Sequence, residues 1–266
     1  MRYQSLTMNI DSSKSVLSPH HLSYVLRFAD GALILAQRLG EWCGHGPALE
    51  EDIAFANIGL DLLGQARLLY THAGALEGRG RTEDSFAYWR DEAEFFNPTL
   101  VELPNGDFAQ SVLRAYLFVL YQRSLWARLI ASTDAALAAI AEKSAKETRY
   151  HVRHLGNWVV RLGDGTAESH TRLQRALDYL MPYTAELFTP DAVDDAMVAA
   201  RIGPALSDAA IAWREPLAAT LMEATLVQPA PSPFLSTGKR GQHSEAMGYL
   251  LTEMQSLARA HPGAMW

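Results

Sequence analysis

Asp30, Asp61, Glu147 and His151 are the residues whose types and spacing could do redox chemistry in this chain, and each falls in a long stretch of helical apolar periodicity. Inward-facing carboxylates and imidazoles hold the metals of di-iron carboxylate bundles: two helices each give one carboxylate, and two give Glu-x-x-His. Here that pattern half survives. Asp61-Leu62-Leu63-Gly64 and Glu147-Thr148-Arg149-Tyr150 carry glycine and tyrosine where the i+3 histidine should stand. Between Asp107 and Asp134 there is no Asp or Glu at all, so the third long helix lacks its carboxylate, and its middle offers only the hydroxyls of Tyr116 and Tyr121. Asp30, Asp61, Gly64, Glu147, Tyr150 and His151 therefore read as vestigial di-iron positions. No residue is assigned as catalytic, cofactor-binding or metal-ligating.

The elements that must position these residues are helices. Ser18-Pro19 reads as an N-cap with Pro at the first helical position, opening a helix to about Trp42. Pro47 opens a second, with Glu50, Glu51 and Asp52 where the macrodipole favours acids, ending near Leu76. A crossover from Glu77 to Asp107 follows, with a short helix capped by Thr82 and breaks at Asn97-Pro98 and Pro104-Asn105-Gly106. Asp107 caps a third helix to about Ala131. Ser132-Thr133-Asp134 caps a fourth, which closes at Gly163-Asp164-Gly165. Shorter helices are expected over 166–181, 190–202 and 207–227, the last kinked at Pro216, and over 244–260. The fold class is all-α: a ferritin-like four-helix bundle with one long crossover and additional C-terminal helices. Residues 1–18 read as a flexible lead-in and 19–266 as one helical domain with a C-terminal helical extension.

On the fourth helix Leu137, Ile140, Ser144, Glu147, His151, Leu155, Trp158 and Leu162 form one stripe, apolar at its ends and polar in its middle. Glu147 and His151 are either ligands or members of a buried hydrogen-bond network, since i, i+4 neighbours touch. On the second helix Asn57, Asp61 and Gln65 form a line that faces the interior or a partner, and Gly59 and Gly64 suit close helix approach. On the first, Arg27, Asp30, Ile34, Gln37, Arg38 and Glu41 mark a solvated face or a buried Asp30 paired with an arginine. Gly238-Lys239-Arg240-Gly241 lacks P-loop spacing and reads as a plain loop. Lys143, Lys146, Arg149, Arg153 and Arg161 read as a solvated basic side.

Composition excludes several classes. A net charge of −7 argues against a nucleic-acid binder. No apolar run approaches a membrane span, and residues 1–18 lack the apolar core of a secretory signal. The single cysteine, Cys43, forbids an internal disulfide, reads as a small buried hydrophobe, and suits a reduced cytoplasmic setting. There is no Walker A, G-x-G-x-x-G, G-x-S-x-G or C-x-x-C motif.

Several strings carry a resemblance. They are Leu39 through His45, Ala56 through Arg67, Glu102-Leu103-Pro104-Asn105-Gly106, Glu147 through Arg153, Thr184 through Phe188, His243 and Glu245 ahead of Glu253-Met254-Gln255, and Pro262 through Trp266. Together they resemble the C subunits of bacterial phenylacetyl-CoA epoxidase (phenylacetate-CoA oxygenase, PaaC family) over nearly everything from Leu22 onward, and least over 191–233. The resemblance implies a non-catalytic structural and regulatory subunit in aerobic phenylacetate catabolism. It implies pairing with a catalytic A subunit that holds the di-iron centre, with a small B subunit also in the assembly and a reductase subunit joining more transiently. No cofactor is expected in this chain. The complex forms the ring 1,2-epoxide of phenylacetyl-CoA. Trp42 and His45, and Tyr88, Trp89, Phe95 and Phe96 in the crossover, are candidate interface residues. Two other readings stay open: an active ferritin-like oxidase built on Asp30, Asp61, Glu147 and His151, or a bundle holding a small apolar ligand.

Overall fold

A computed structural model describes residues 12–264. Four long helices form the bundle: α1 (Ser12–Gly40), α2 (Leu49–Glu77), α5 (Phe108–Leu129) and α6 (Ala135–Gly163). The α1–α2 and α5–α6 pairs are antiparallel neighbours joined by short connections. Between the pairs runs the crossover, with α3 (Glu83–Tyr88), a 3₁₀ turn at Glu92–Glu94 and α4 (Thr99–Glu102). Then come α7 (Ala167–Leu180), α8 (Ala185–Phe188), α9 (Ala192–Ala199), α10 (Leu206–Glu223) and α11 (Glu245–Ala260). No β-strand occurs among the described residues. This is the expected all-α, ferritin-like arrangement with one crossover.

Local chemistry sets most boundaries. Thr82 caps α3 and Thr166 caps α7, each through a capping box with the serine three residues on. Asp107 accepts from the Gln110 N–H at 3.0 Å, and Asp134 Oδ1 accepts from Ala136 and Leu137, both at 3.0 Å. Gly78 closes α2 at φ 68°, where a side chain would be strained. Some boundaries differ from expectation: α2 starts at Leu49 rather than at Pro47, and α9 and α10 stop at Ala199 and Glu223, short of 202 and 227. α1 begins at Ser12, so Pro19 lies inside it and removes one backbone hydrogen bond rather than opening the helix. The expected lead-in is therefore helical from residue 12, and residues 1–11 lie outside the described set, as do Met265 and Trp266.

α5 is buried on nearly every side, from Val112 through Leu120 without a break. The C-terminal helices explain this: α7 and α10 pack on the face of α5 that α6 leaves free. The Trp213 indole N–H donates to the Leu117 carbonyl at 3.0 Å, and the Tyr116 and Thr220 hydroxyls lie 2.7 Å apart. α9 is tied to α1 by a forked pair from Arg27 to Asp191, at 2.6 and 3.0 Å. α11 lies over the crossover, where the Gln255 amide donates to the Ala87 and Arg90 carbonyls at 3.0 Å each.

The outer side of α2 has no such cover. Leu49, Ile53, Leu60 and Leu63, spaced by four, seven and three, all face solvent. Gly59 approaches α1 closely, with its missing Cβ position 3.6 Å from the Ala36 carbonyl. Gly64 does not serve that purpose: nothing lies within 4 Å of a Cβ placed there, because it belongs to the open side. Cys43, too, is exposed, since it sits in the α1–α2 connection outside the core.

Candidate functional site

The positions that read from the sequence as remnants of a di-iron site divide into two places. Asp30, on α1, is wholly buried. Its carboxylate accepts from the Arg90 guanidinium through both oxygens, one of them at 3.1 Å, from the Tyr70 hydroxyl at 2.6 Å and from the Phe96 N–H at 2.8 Å. Arg90 in turn donates to the Phe86 and Glu94 carbonyls at 2.6 and 2.8 Å, and its guanidinium lies 4.1 Å from the centre of the Phe95 ring. Burial opposes the Arg90 charge, but Asp30 more than offsets it and holds the guanidinium protonated. Burial, reinforced by Asp30, pushes the Tyr70 hydroxyl well above its ordinary value. So the charge that a metal would supply beside this carboxylate comes from an arginine of the crossover.

The second place is the seam of α2, α5 and α6. His151 Nε2 lies 2.9 Å from Asp61 Oδ2. Gln65 donates to Glu147 at 3.1 Å and accepts from Gln122 at 3.3 Å. His151 is wholly buried, and burial lowers its pKa although Asp61 works the other way, which keeps the ring neutral at pH 7. Its Nδ1, the Ser144 and Thr148 hydroxyls and the Gln122 carbonyl oxygen have no hydrogen-bond partner. Glu147 keeps 21% of its side chain open to solvent beside Lys143, so it is half-buried rather than a core charge. Tyr150 is 46% exposed and points away, stacked on His154. The line Asn57, Asp61, Gln65 splits: Gln65 faces inward and Asn57 outward, with Asp61 at the rim.

This donor set does not fit a di-iron centre. Asp30 is saturated by Arg90, Tyr70 and Phe96. Gly64 has no side chain, Tyr150 faces solvent, and α5 contributes the amide of Gln122 where a carboxylate would be needed. Nor does the interior suit an organic ligand: the concavity beside Tyr24, Phe118, Tyr121 and Gln122 holds about 30 Å³, room for one water.

Kinship in sequence bears on the same question. The family described as Phenylacetic acid catabolic protein matches residues 6–266. The chain belongs to that family. It is also 46% identical, over 244 residues, to the Escherichia coli (strain K12) protein named as the C subunit of 1,2-phenylacetyl-CoA epoxidase, a match that spans 92% of this chain and 98% of that protein.

The interface candidates differ in exposure. Phe95 lies wholly in the core and presents no surface, because it packs on Arg90. Phe96 and Tyr88 are partly buried against the core. Trp42 is also drawn inward: its N–H donates to Ser111 at 3.0 Å and its ring meets Phe55 and Phe108 edge-on. Only His45 and Trp89 of that set are exposed. The Gly238–Gly241 loop is structural. Lys239 is buried, with its ammonium 3.1 Å from Asp194 and its N–H donating to the buried Glu186 at 2.7 Å.

Two polar clusters were not foreseen. Glu102, wholly buried, accepts from Asn97 and the Ser244 N–H and lies 2.6 Å from His243 Nδ1. His21, His72 and Asp134 meet at one end of the bundle. In each, partners come from elements more than fifty residues apart, a separation that no local motif bridges.

Proposed function

We propose that this chain is the non-catalytic structural subunit of a multicomponent phenylacetyl-CoA epoxidase of aerobic phenylacetate catabolism. Its partner is a related catalytic A subunit with the di-iron centre; a small B subunit and a reductase complete the assembly, and the setting is cytoplasmic. The observation that carries the reading is Asp30: its carboxylate is fully engaged by Arg90, Tyr70 and the Phe96 N–H, which leaves nothing for a metal. Oxygen activation needs a metal or an organic cofactor, and the seam residues supply neither. The name of the E. coli relative, as one subunit of an epoxidase, fits a supporting role. No helix among the described residues is long and apolar enough to cross a membrane.

The open side of α2 supplies the means of support. Four apolar side chains along it face solvent, and lasting subunit interfaces bury such surfaces over more than about 2,000 Å². The test is reconstitution with phenylacetyl-CoA, oxygen and reductase, omitting one subunit at a time. This chain without the A subunit is expected to give no epoxide, and the A subunit without this chain to lose most of its turnover. Epoxide from this chain alone, or undiminished turnover in its absence, would sink the reading.

A further inference from the structure

We propose that His21, His72 and Asp134 form a binding site for one divalent transition-metal ion of the zinc type, separate from the vestigial di-iron positions. The three side chains come from α1, from the last turns of α2 and from the N-cap of α6. Their ligand atoms all lie within 4.8 Å of one another. His21 Nε2 is 2.8 Å and His72 Nε2 is 2.5 Å from the same atom, Asp134 Oδ2. The two rings stand edge to face, 74° apart, so both nitrogens aim at one point from different directions.

The carboxylate divides its work. Oδ1 is committed to the backbone N–H groups of Ala136 and Leu137, which leaves Oδ2 for the imidazoles. The side chains keep 8–12% of their surface open, enough for solvent to reach the site. Two imidazoles and one carboxylate are the three protein ligands of many zinc sites, with water as the fourth.

The fit asks for a small opening. Ligands about 2.05 Å from a tetrahedral ion stand about 3.3 Å apart, so the nitrogens must retreat from Oδ2 by about 0.5 to 0.8 Å. Imidazole and carboxylate donors at a partly open site select zinc, cobalt or nickel over magnesium or calcium. Two of the larger surface concavities among the described residues lie elsewhere: one is lined by Pro182, Trp213 and Pro231, another by Tyr88, Trp89 and Leu257. The ion would act as a clamp between the body of α1, the last turns of α2 and the N-cap of α6, and would not meet a substrate.

The experiment uses the full, tag-free chain, stripped with chelator and titrated with Co²⁺ and then Zn²⁺. Cobalt absorption in the visible, metal content after gel filtration and thermal melting are read together. Expected are one ion per chain, a tetrahedral cobalt spectrum displaced by zinc, and a melting temperature that rises with zinc. His21→Gln, His72→Gln and Asp134→Asn should each weaken binding by at least about tenfold. Asp134→Asn keeps a capping side chain, so its fold survives even where a histidine variant's does not. His45→Ala, at an exposed histidine, should change nothing. Absence of a stoichiometric ion in the wild type overturns the proposal. So does an ion whose affinity is indifferent to all three substitutions, which marks adventitious binding at other surface histidines.

Discussion

Arg90 sits against the buried carboxylate of Asp30, and removing it tests whether that pair holds the fold. Arg90→Met leaves a buried carboxylate without its counter-charge, a change that typically costs about 3 to 5 kcal/mol. The Asp30→Asn, Arg90→Met double variant should recover much of the loss, because no bare charge remains. Urea unfolding of both variants and of each single checks this; additive losses would show that the pair is not coupled. Glu147→Ala behaves differently. Its carboxylate is partly solvated and its hydrogen bond is to the Gln65 amide, so the expected loss is about 1 kcal/mol by the same unfolding measurement. A loss above about 3 kcal/mol would mean that Glu147 has a partner beyond Gln65. At this scale legibility was uneven. Glu147 and His151 stood out as polar residues on an apolar stripe, and His151 does pair with Asp61, while Asp30 read either as part of a solvated face or as buried beside an arginine, and the second is found. Arg90 did not stand out, because it lies sixty residues from Asp30 in an irregular stretch with no periodicity to read.

At the scale of elements, His243 fastens the crossover to the start of α11 together with the Ser244 N–H on Glu102. His243 Nδ1 meets Glu102, and its Nε2 meets the Phe95 carbonyl at 2.9 Å. Both partners accept, so the ring fills both bonds only when doubly protonated. Burial lowers its pKa, but Glu102 and the Phe95 carbonyl outweigh that and raise it above the ordinary 6.5. A raised folded pKa adds stability that is complete below about 6.5 and fades as pH climbs through the folded value. His151 is the reverse case: its depressed pKa withdraws stability as pH falls below about 6.5. Melting temperature is therefore expected to decline on the alkaline side in the wild type, and His243→Gln should lower the melting temperature on the acid side and so flatten that decline. An alkaline slope identical in the variant would remove His243 as its source. Helix ends were the most legible elements, since Thr82, Asp107, Asp134 and Thr166 cap by bonds to residues two or three positions on. The apolar character of α5 was visible throughout, yet what covers it was not: α7 and α10 reach it from beyond the whole length of α6.

For the whole molecule, the uneven covering decides where a partner can sit. The C-terminal helices shield α5 and α11 shields the crossover, while α2 is left with Leu60 at 64% exposure in the middle of its apolar line. Leu60→Glu should leave the melting temperature of the isolated chain within about a degree, as an exposed position tolerates charge. In the complex it buries an unpaired carboxylate, so copurification with the A subunit should fail. Retained copurification would place the interface elsewhere, with exposed Trp89 and its surface concavity the next face to test.

The bonds between the crossover and the C-terminal region also order events in time. A ribosome delivers Thr99 and Glu102 well before Ser236, Lys239, His243 and Gln255, yet Gly238 bonds Thr99 across 139 residues and Gln255 bonds Arg90 across 165. Until those late residues emerge, the buried Glu102 and the Arg90 carbonyl lack the partners they have in the finished fold. The crossover is thus a segment whose polar bonding closes only once residues 236–255 have been made, long after the four bundle helices.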